Sequence, residues 1–380
     1  MNTHNDDGEE YKTITSTLSS FYNFYNYQIN KLIKPRISKF EILSNQDKQL
    51  LLWYQKHTEY IQQCIMINKD FTEKLAVEVS TEWGVDSKTP HSWSEPTIEQ
   101  FEMTQLILLQ LTREWSEEGL KERKNSHNLI MNQLNSKFPN YIDRQNKKIL
   151  VPGCGLGRLV FELICQGFNT EGNDNNYHML FTFSYILKNC DLPFEISIFP
   201  FLDNSLTNFS KRQFQIRPII LPDISPIQKL NELNLERKGK IPYNDLISIT
   251  AGSFIDLYGT FNVTDPKEIK DLKSSNKNKF DVVVTEFFLN TGNMIEYIKT
   301  INNTLAVGGI WINYGPITEE NNKYGIDLTK EDLSELITNL GFKFLEKNDF
   351  EDSYFNNDNS LIENKQICEF WSCEKINDLT

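Results

Sequence analysis

Residues 149–163 read ILVPGCGLGRLVFEL: an apolar run, glycines at 153, 155 and 157, then a renewed apolar spacing in Leu159, Leu163 and Ile164. A buried strand running into such a loop and out into a helix has a physical purpose. Glycine permits positive φ and lets the backbone approach a ligand closely, and the helix start offers free N–H groups to negative charge. A nucleoside-containing cofactor is the natural occupant. The dinucleotide fingerprint GxGxxG needs a sixth-position glycine, but counting from Gly153 that position is Arg158, which weakens a nicotinamide reading.

The chain around the loop sets further bounds. Its 380 residues, 39% hydrophobic and 12% aromatic, predict a globular protein of one large elaborated domain or two. The longest apolar runs, such as LILL at 106–109, fall far short of a bilayer span, and the start MNTHNDDGEE lacks the features of a secretory or transit segment. The expected location is the cytoplasm, with access to the nucleus left open. Six cysteines without a CxxC pair indicate neither a zinc site nor a disulfide framework, and no metal is expected. A net charge of -13 argues against nucleic acid as a partner and for a small ligand.

Residues 12 to 138 carry helical periodicity. Leu18, Phe21, Tyr22, Tyr25, Ile29, Leu32 and Ile33 predict a first helix ending before Pro35; further helices are expected around 50–65, 98–115 and 120–138. His57 and His127 read as core or helix-flank packing residues. From Lys147 the texture changes. KKILVPG, GFNTEGND, FEISIFPF, LISITAGSF, FDVVVTEFF, GGIWINYGP, FKFLEKND and QICEFWSCE are strand candidates, and their alternation with helical patterns predicts a parallel-type sheet in an α/β fold. Two insertions are expected, at 203–243 and 259–279, the second a polar, lysine-rich mobile loop.

The GxGxG spacing is similar to motif I of the class I S-adenosylmethionine (SAM) methyltransferases, which implies an acidic residue closing the second strand to hold the ribose hydroxyls. Asp174 stands at the end of FNTEGND, 21 residues after Gly153. A narrower resemblance follows. VPGCGLGRLVFEL, the EGND and MLF of EGNDNNYHMLF, IRPIILPD, ITAGSF, GGIWINYGP and REWSEEGLKER resemble, in order, segments of the carnosine N-methyltransferase family. Its members transfer a methyl group from SAM to the imidazole of carnosine, giving anserine. The resemblance implies a Rossmann-like seven-stranded class I methyltransferase sheet with an N-terminal helical extension. On that basis residues 1–145 form a helical region contributing to the cofactor site, and 146–380 the SAM-binding domain.

The resemblance also implies site residues. Gln110 and Arg113 match the family's contacts to the methionine moiety, Gly153, Gly155 and Gly157 its loop, and Asp174 its ribose acid. Ser253 and Phe254 stand where the family has Asp-Phe facing adenine, and Glu286 replaces a small cysteine at the cofactor. On the acceptor side, Asn290 occupies the place of an aspartate, Glu320 that of a histidine, Tyr354 matches one tyrosine, and the second falls at about Cys368. Asn290, Tyr354 and Glu320 are therefore the candidate catalytic residues. The implied partner is a small-molecule acceptor, carnosine or a similar imidazole or amine, with neither nucleic acid nor membrane. Because so much of the acceptor side differs, two alternatives stay open: a methyltransferase with another acceptor, and a SAM-binding module without activity.

Overall fold

In the computed structural model, which describes residues 3–236, 239–260, 265–317, 326, 328–355 and 357–379, the apolar run before the glycines forms β1 (Lys148–Pro152). Its side chains are buried from Ile149 onward on both faces, as a central parallel strand requires. Eight further strands follow among the described residues: β2 (Asn169–Asp174), β3 (Ile196–Ile198), β4 (Ile219–Leu221), β5 (Ile247–Ala251), β6 (Phe280–Glu286), β7 (Leu305–Gly315), β8 (Phe342–Ser353) and β9 (Lys365–Lys375).

Contacts divide the chain into two units. The sheet unit draws on Lys121–Asn176, Gln228–Tyr354 and Asn364–Thr380. Its seven strands run in the order β5-β2-β1-β6-β7-β9-β8. β5, β2, β1, β6 and β7 are mutually parallel, and β9 is antiparallel to both β7 and β8. This is the class I methyltransferase sheet that the resemblance implied. The chain leaves β1 in one direction toward β2 and β5 and resumes on its other side at β6, so the order reverses between β1 and β6. Ligands of open α/β sheets bind at the carboxyl ends of the strands flanking such a reversal. Leu150, Val283, Trp311 and Trp371 pack one face against helices Phe254–Tyr258, Met294–Thr304 and Lys330–Asn339.

The helical unit draws on Met1–Leu120, Tyr177–Ile227 and Phe355–Glu363. Helix Leu52–Glu82 supplies Ile61, Cys64 and Ile65 to a cluster with Ile33, Phe199 and Leu202. Helix Ile98–Trp115 opens with a reciprocal Thr97–Gln100 capping box. Buried Asn68 brackets the backbone of Phe199, donating from Nδ2 to its carbonyl (3.0 Å) and accepting its N–H at Oδ1 (2.8 Å).

Three expectations are corrected. The first helical stretch does not end before Pro35: a π-turn at Ile29–Ile33 leads into helix Lys34–Glu41, with Pro35 in its first turn. There the missing N–H of proline costs no intrahelical bond. FEISIFPF does not join the main sheet. Its β3 pairs antiparallel with β4 from inside the first insertion, forming a separate two-stranded sheet in the helical unit. The second insertion contains helix Lys267–Asn276, whose buried Lys273 pairs with Asp265 at 3.2 Å and whose Asn276 donates to the Leu257 carbonyl. Polar composition did not preclude order there because its charges meet partners.

Asn68→Ala removes both bonds to Phe199 and leaves buried backbone groups without them. The expected loss is about 2 kcal/mol in urea unfolding of the full chain, and an unchanged midpoint would show the bracket to be dispensable.

Candidate functional site

The reversal between β1 and β6 is where the glycine loop lies. Gly153, Gly155 and Gly157 have φ of 65°, 54° and 74°, all in the region L side chains avoid. A Cβ on Gly153 would fall 2.3 Å from the ring of Phe288, so this position admits no side chain without a shift. Helix Arg158–Cys165 starts at Gly157 with no side-chain cap. Asp174, the last residue of β2, is turned toward this loop. Its Oδ2 accepts the Gly155 N–H at 3.0 Å and its Oδ1 the Asn176 N–H at 2.9 Å. Burial raises the Asp174 pKa, opposed by the backbone N–H groups of Asn176, Gly155 and Asn175. A fixed, acceptor-only carboxylate beside a loop free of side chains fits a nucleoside, whose ribose offers two adjacent hydroxyl donors.

After β5, the Ser253 hydroxyl caps helix Phe254–Tyr258 by accepting the Asp256 N–H at 3.4 Å. Phe254 is buried against Phe288 and Tyr297 in the core of the sheet unit. Gln110 and Arg113 belong to the helical unit, one turn apart on helix Ile98–Trp115. Both are buried, so Arg113 is no solvated surface charge; its guanidinium lies 3.6 Å from Glu114.

Glu286, the last residue of β6, faces a buried cationic system. One carboxylate oxygen accepts the Ser126 hydroxyl at 2.6 Å, and the other lies 3.5 Å from His127 Nε2. The opposite ring nitrogen of His127, Nδ1, is 2.9 Å from Glu162 Oε2, and Glu162 Oε1 accepts from Arg158 Nε at 2.8 Å. Burial alone would lower the His127 pKa. The charge of Glu286 and the bond to Glu162 outweigh it and push the imidazole up to about 9. Burial likewise opposes ionisation of Glu162, but the bond from His127 and the charges of His127 and Arg158 hold it down at about 2. The reading of His127 as a packing residue is thus corrected: its two ring nitrogens face two carboxylates. The Arg158–Glu162 spacing of four on a helix was readable in the sequence; the meeting with Ser126, His127 and Glu286 was not.

Beyond β6 the backbone turns sharply. Phe287 has φ of 49° and donates its N–H to the Tyr314 carbonyl at 2.8 Å. Gly315, at φ 149°, closes this turn, since a Cβ there would lie 3.0 Å from Phe287 N and Cα. The turn delivers Asn290, in the short helix Leu289–Thr291, with a buried side-chain oxygen that has no hydrogen-bond partner among the described residues. Tyr354 follows β8, its ring 4.9 Å from that of Phe287. Cys368 is buried in β9. Glu320 lies outside the described residues. Two groups that sequence reasoning missed stand nearby: Tyr314 at the end of β7 donates its hydroxyl to Asp352 near the end of β8, and burial followed by that bond raises the Tyr314 pKa.

Comparison with known proteins identifies the family. Residues 90–377 match the family model described as carnosine N-methyltransferase. A carnosine N-methyltransferase of Schizosaccharomyces pombe is 29% identical over 387 residues, covering 97% of this chain and 96% of its own. That of Mus musculus is 29% identical over 371 residues, covering 93% and 84%. Among solved structures, a SAM-dependent methyltransferase from Methanosarcina mazei shares 12% identity with a TM-score of 0.37, covering 64% of this chain and 98% of that one.

The His127 system yields a pH prediction. An unfolded histidine titrates near 6.5, and the folded value lies above it, so the stabilisation is complete below about pH 6.5 and is lost as pH rises through 9. Urea midpoints of the full chain should fall across that window by the equivalent of roughly 3 kcal/mol. His127→Gln, which removes the imidazole between two carboxylates, should cost about 3 kcal/mol at pH 6 and flatten the dependence; a wild-type stability flat from pH 6 to 9.5 would mean an uncharged ring.

Proposed function

Because the chain belongs to the carnosine N-methyltransferase family, whose members are SAM-dependent N-methyltransferases, we propose that it methylates the imidazole of carnosine, giving anserine, or that of a related histidine-containing small molecule. One observation carries the acceptor class: the partnerless, buried oxygen of Asn290, on the turn that follows β6. A neutral imidazole has one N–H donor and one nitrogen with a lone pair. Holding the N–H on Asn290 Oδ1 fixes the tautomer and leaves the other nitrogen free to be alkylated.

The chain's task is therefore orientation. Gly153, Gly155 and Gly157 keep side chains away from the nucleoside, and Asp174 accepts from the ribose hydroxyls. Bound SAM supplies a methyl group on a sulfonium, already electrophilic enough to need no acid from the protein. Asn290 carries no charge and takes no proton; it aligns the ring, and alignment is the larger contribution to such a displacement. An imidazole whose conjugate acid has a pKa of about 6.5 is largely unprotonated near neutrality, so no general base is needed before attack. The methylated ring leaves as an imidazolium and gives its proton to solvent.

A second reading, an acceptor other than carnosine, is favoured by the buried thiol of Cys368 where the resemblance implies a tyrosine.

Two measurements test these readings. Full-length protein with methyl-labelled SAM and carnosine should yield labelled anserine; no transfer, with normal S-adenosylhomocysteine binding, rejects carnosine and leaves the second reading. Asp174→Ala should weaken S-adenosylhomocysteine binding by about 1–3 kcal/mol in calorimetry through loss of charged hydrogen bonds, and an unchanged affinity would remove Asp174 from the cofactor site.

A further inference from the structure

In a chain with a net charge of -13, the helical unit gathers cations around a neutral hub. The hub is Gln215, which is fully buried. Its amide nitrogen donates to the carbonyls of Leu202 (3.2 Å) and Asn204 (2.7 Å), which fixes the orientation of the amide. Its oxygen meets two donors, Arg36 Nη2 at 3.3 Å and His57 Nε2 at 3.0 Å. Arg212, whose carbonyl accepts the Gln215 N–H, lays its guanidinium 4.4 Å over the ring of Trp53. That ring lies 6.1 Å from His57. Among the described residues no carboxylate pairs with Arg36 or Arg212. Neighbouring acids are engaged elsewhere: Glu59, two residues from His57, pairs with Lys56, and Asp203, beside Asn204, pairs with Lys31. Burial lowers the Arg36 pKa, with Tyr54 acting against it. Burial also lowers that of His57; the bond to Gln215 opposes it, and the charges of Arg36 and Arg212 add to it. Like charges held together and partly desolvated are costly until an anion joins them. Arg212 is exposed and Arg36 half-buried, and no Arg36 nitrogen is among the buried atoms without a partner, so its unused donors reach solvent.

We propose that Arg36 and Arg212, beside His57, form a site for a small tetrahedral oxyanion, a phosphate or sulfate group that is free or carried on a small molecule. Guanidinium groups present paired N–H donors that match such oxygens. Here both are held by neutral groups, Arg36 by the Gln215 oxygen and Arg212 by the Trp53 ring, so each is oriented while its charge stays uncompensated. The two arginines come from different elements, helix Lys34–Glu41 and the turn Arg212–Phe214. A tetrahedral anion has enough oxygens to accept from both, whereas the two oxygens of a carboxylate are filled by one fork. The negative charge of the whole chain disfavours an extended polyanion and leaves a small one. All of these residues belong to the helical unit, whereas the glycine loop, Asp174 and Asn290 belong to the sheet unit. SAM carries no phosphate, so the ligand is a molecule other than the cofactor.

Calorimetric titration of the full chain with inorganic phosphate, at constant ionic strength and with S-adenosylhomocysteine saturating the glycine loop, tests the site. Wild type should take up one equivalent and bind acetate at least about tenfold more weakly. Arg212→Gln, at an exposed side chain, should weaken phosphate binding at least about tenfold, as should Arg36→Gln. S-adenosylhomocysteine affinity should be unchanged in Arg212→Gln. Lys56→Gln, which removes a charge already paired with Glu59 on the same helix as His57, should alter phosphate affinity less than about twofold. No phosphate binding by wild type, acetate bound as tightly as phosphate, or undiminished binding by Arg212→Gln overturns the site. An equal loss in Lys56→Gln does so too, since it would mean attraction to net charge alone. If Arg36→Gln does not fold, Arg212→Gln decides by itself.

Discussion

Where β6 ends, two consecutive phenylalanines do opposite things, and the edge of the sheet is organised around them. Phe288 turns inward until its ring occupies the space a side chain at 153 would need. Phe287 takes a left-handed backbone, bonds to the Tyr314 carbonyl and presses against Gly315. The first contact sets how closely the glycine loop packs on the strand ends. The second sets where the chain goes next, and so where Asn290 and the ring of Phe287 are presented. Two glycines far apart in sequence, 153 and 315, are thus demanded by one dipeptide.

The two sides of that edge are held by different forces. Toward the glycine loop, ionic contacts dominate: Arg158, Glu162, His127 and Glu286 form an alternating row of charges that ties the helix after the loop to the end of β6. Buried charges in alternation are tolerable because each is compensated on its neighbour. Toward Tyr354, packing is aromatic and Asp352 has only neutral donors.

Part of the architecture was legible in the sequence. The strand running into Gly153 and the alternation of strands and helices followed from apolar patterning and glycine spacing, whereas the acid closing β2 and the seven-stranded class I sheet came from the resemblance to the methyltransferase families. FEISIFPF misled because a short apolar run states that it is buried, not which partner buries it; that partner came from within the first insertion. His127 misled for a related reason. A histidine on a helix face looks the same whether its neighbours are aliphatic or anionic, and Glu162 and Glu286 are 35 and 159 residues away in sequence. Tyr314 and Asp352 were missed because their meeting spans β9, the strand between them, and no spacing rule describes it.

The chain passes between its two units at 120–121, 176–177, 227–228, 354–355 and 363–364. Asp174 and Tyr354 stand within two residues of such crossings. Neither unit is therefore a continuous stretch that a gene fusion could donate or a single protease cut could release. The two units are interleaved along the chain rather than successive in it. Duplication and divergence of this protein must act on the whole, so a change of acceptor is reached by substitution along existing strands and turns, not by exchange of a module.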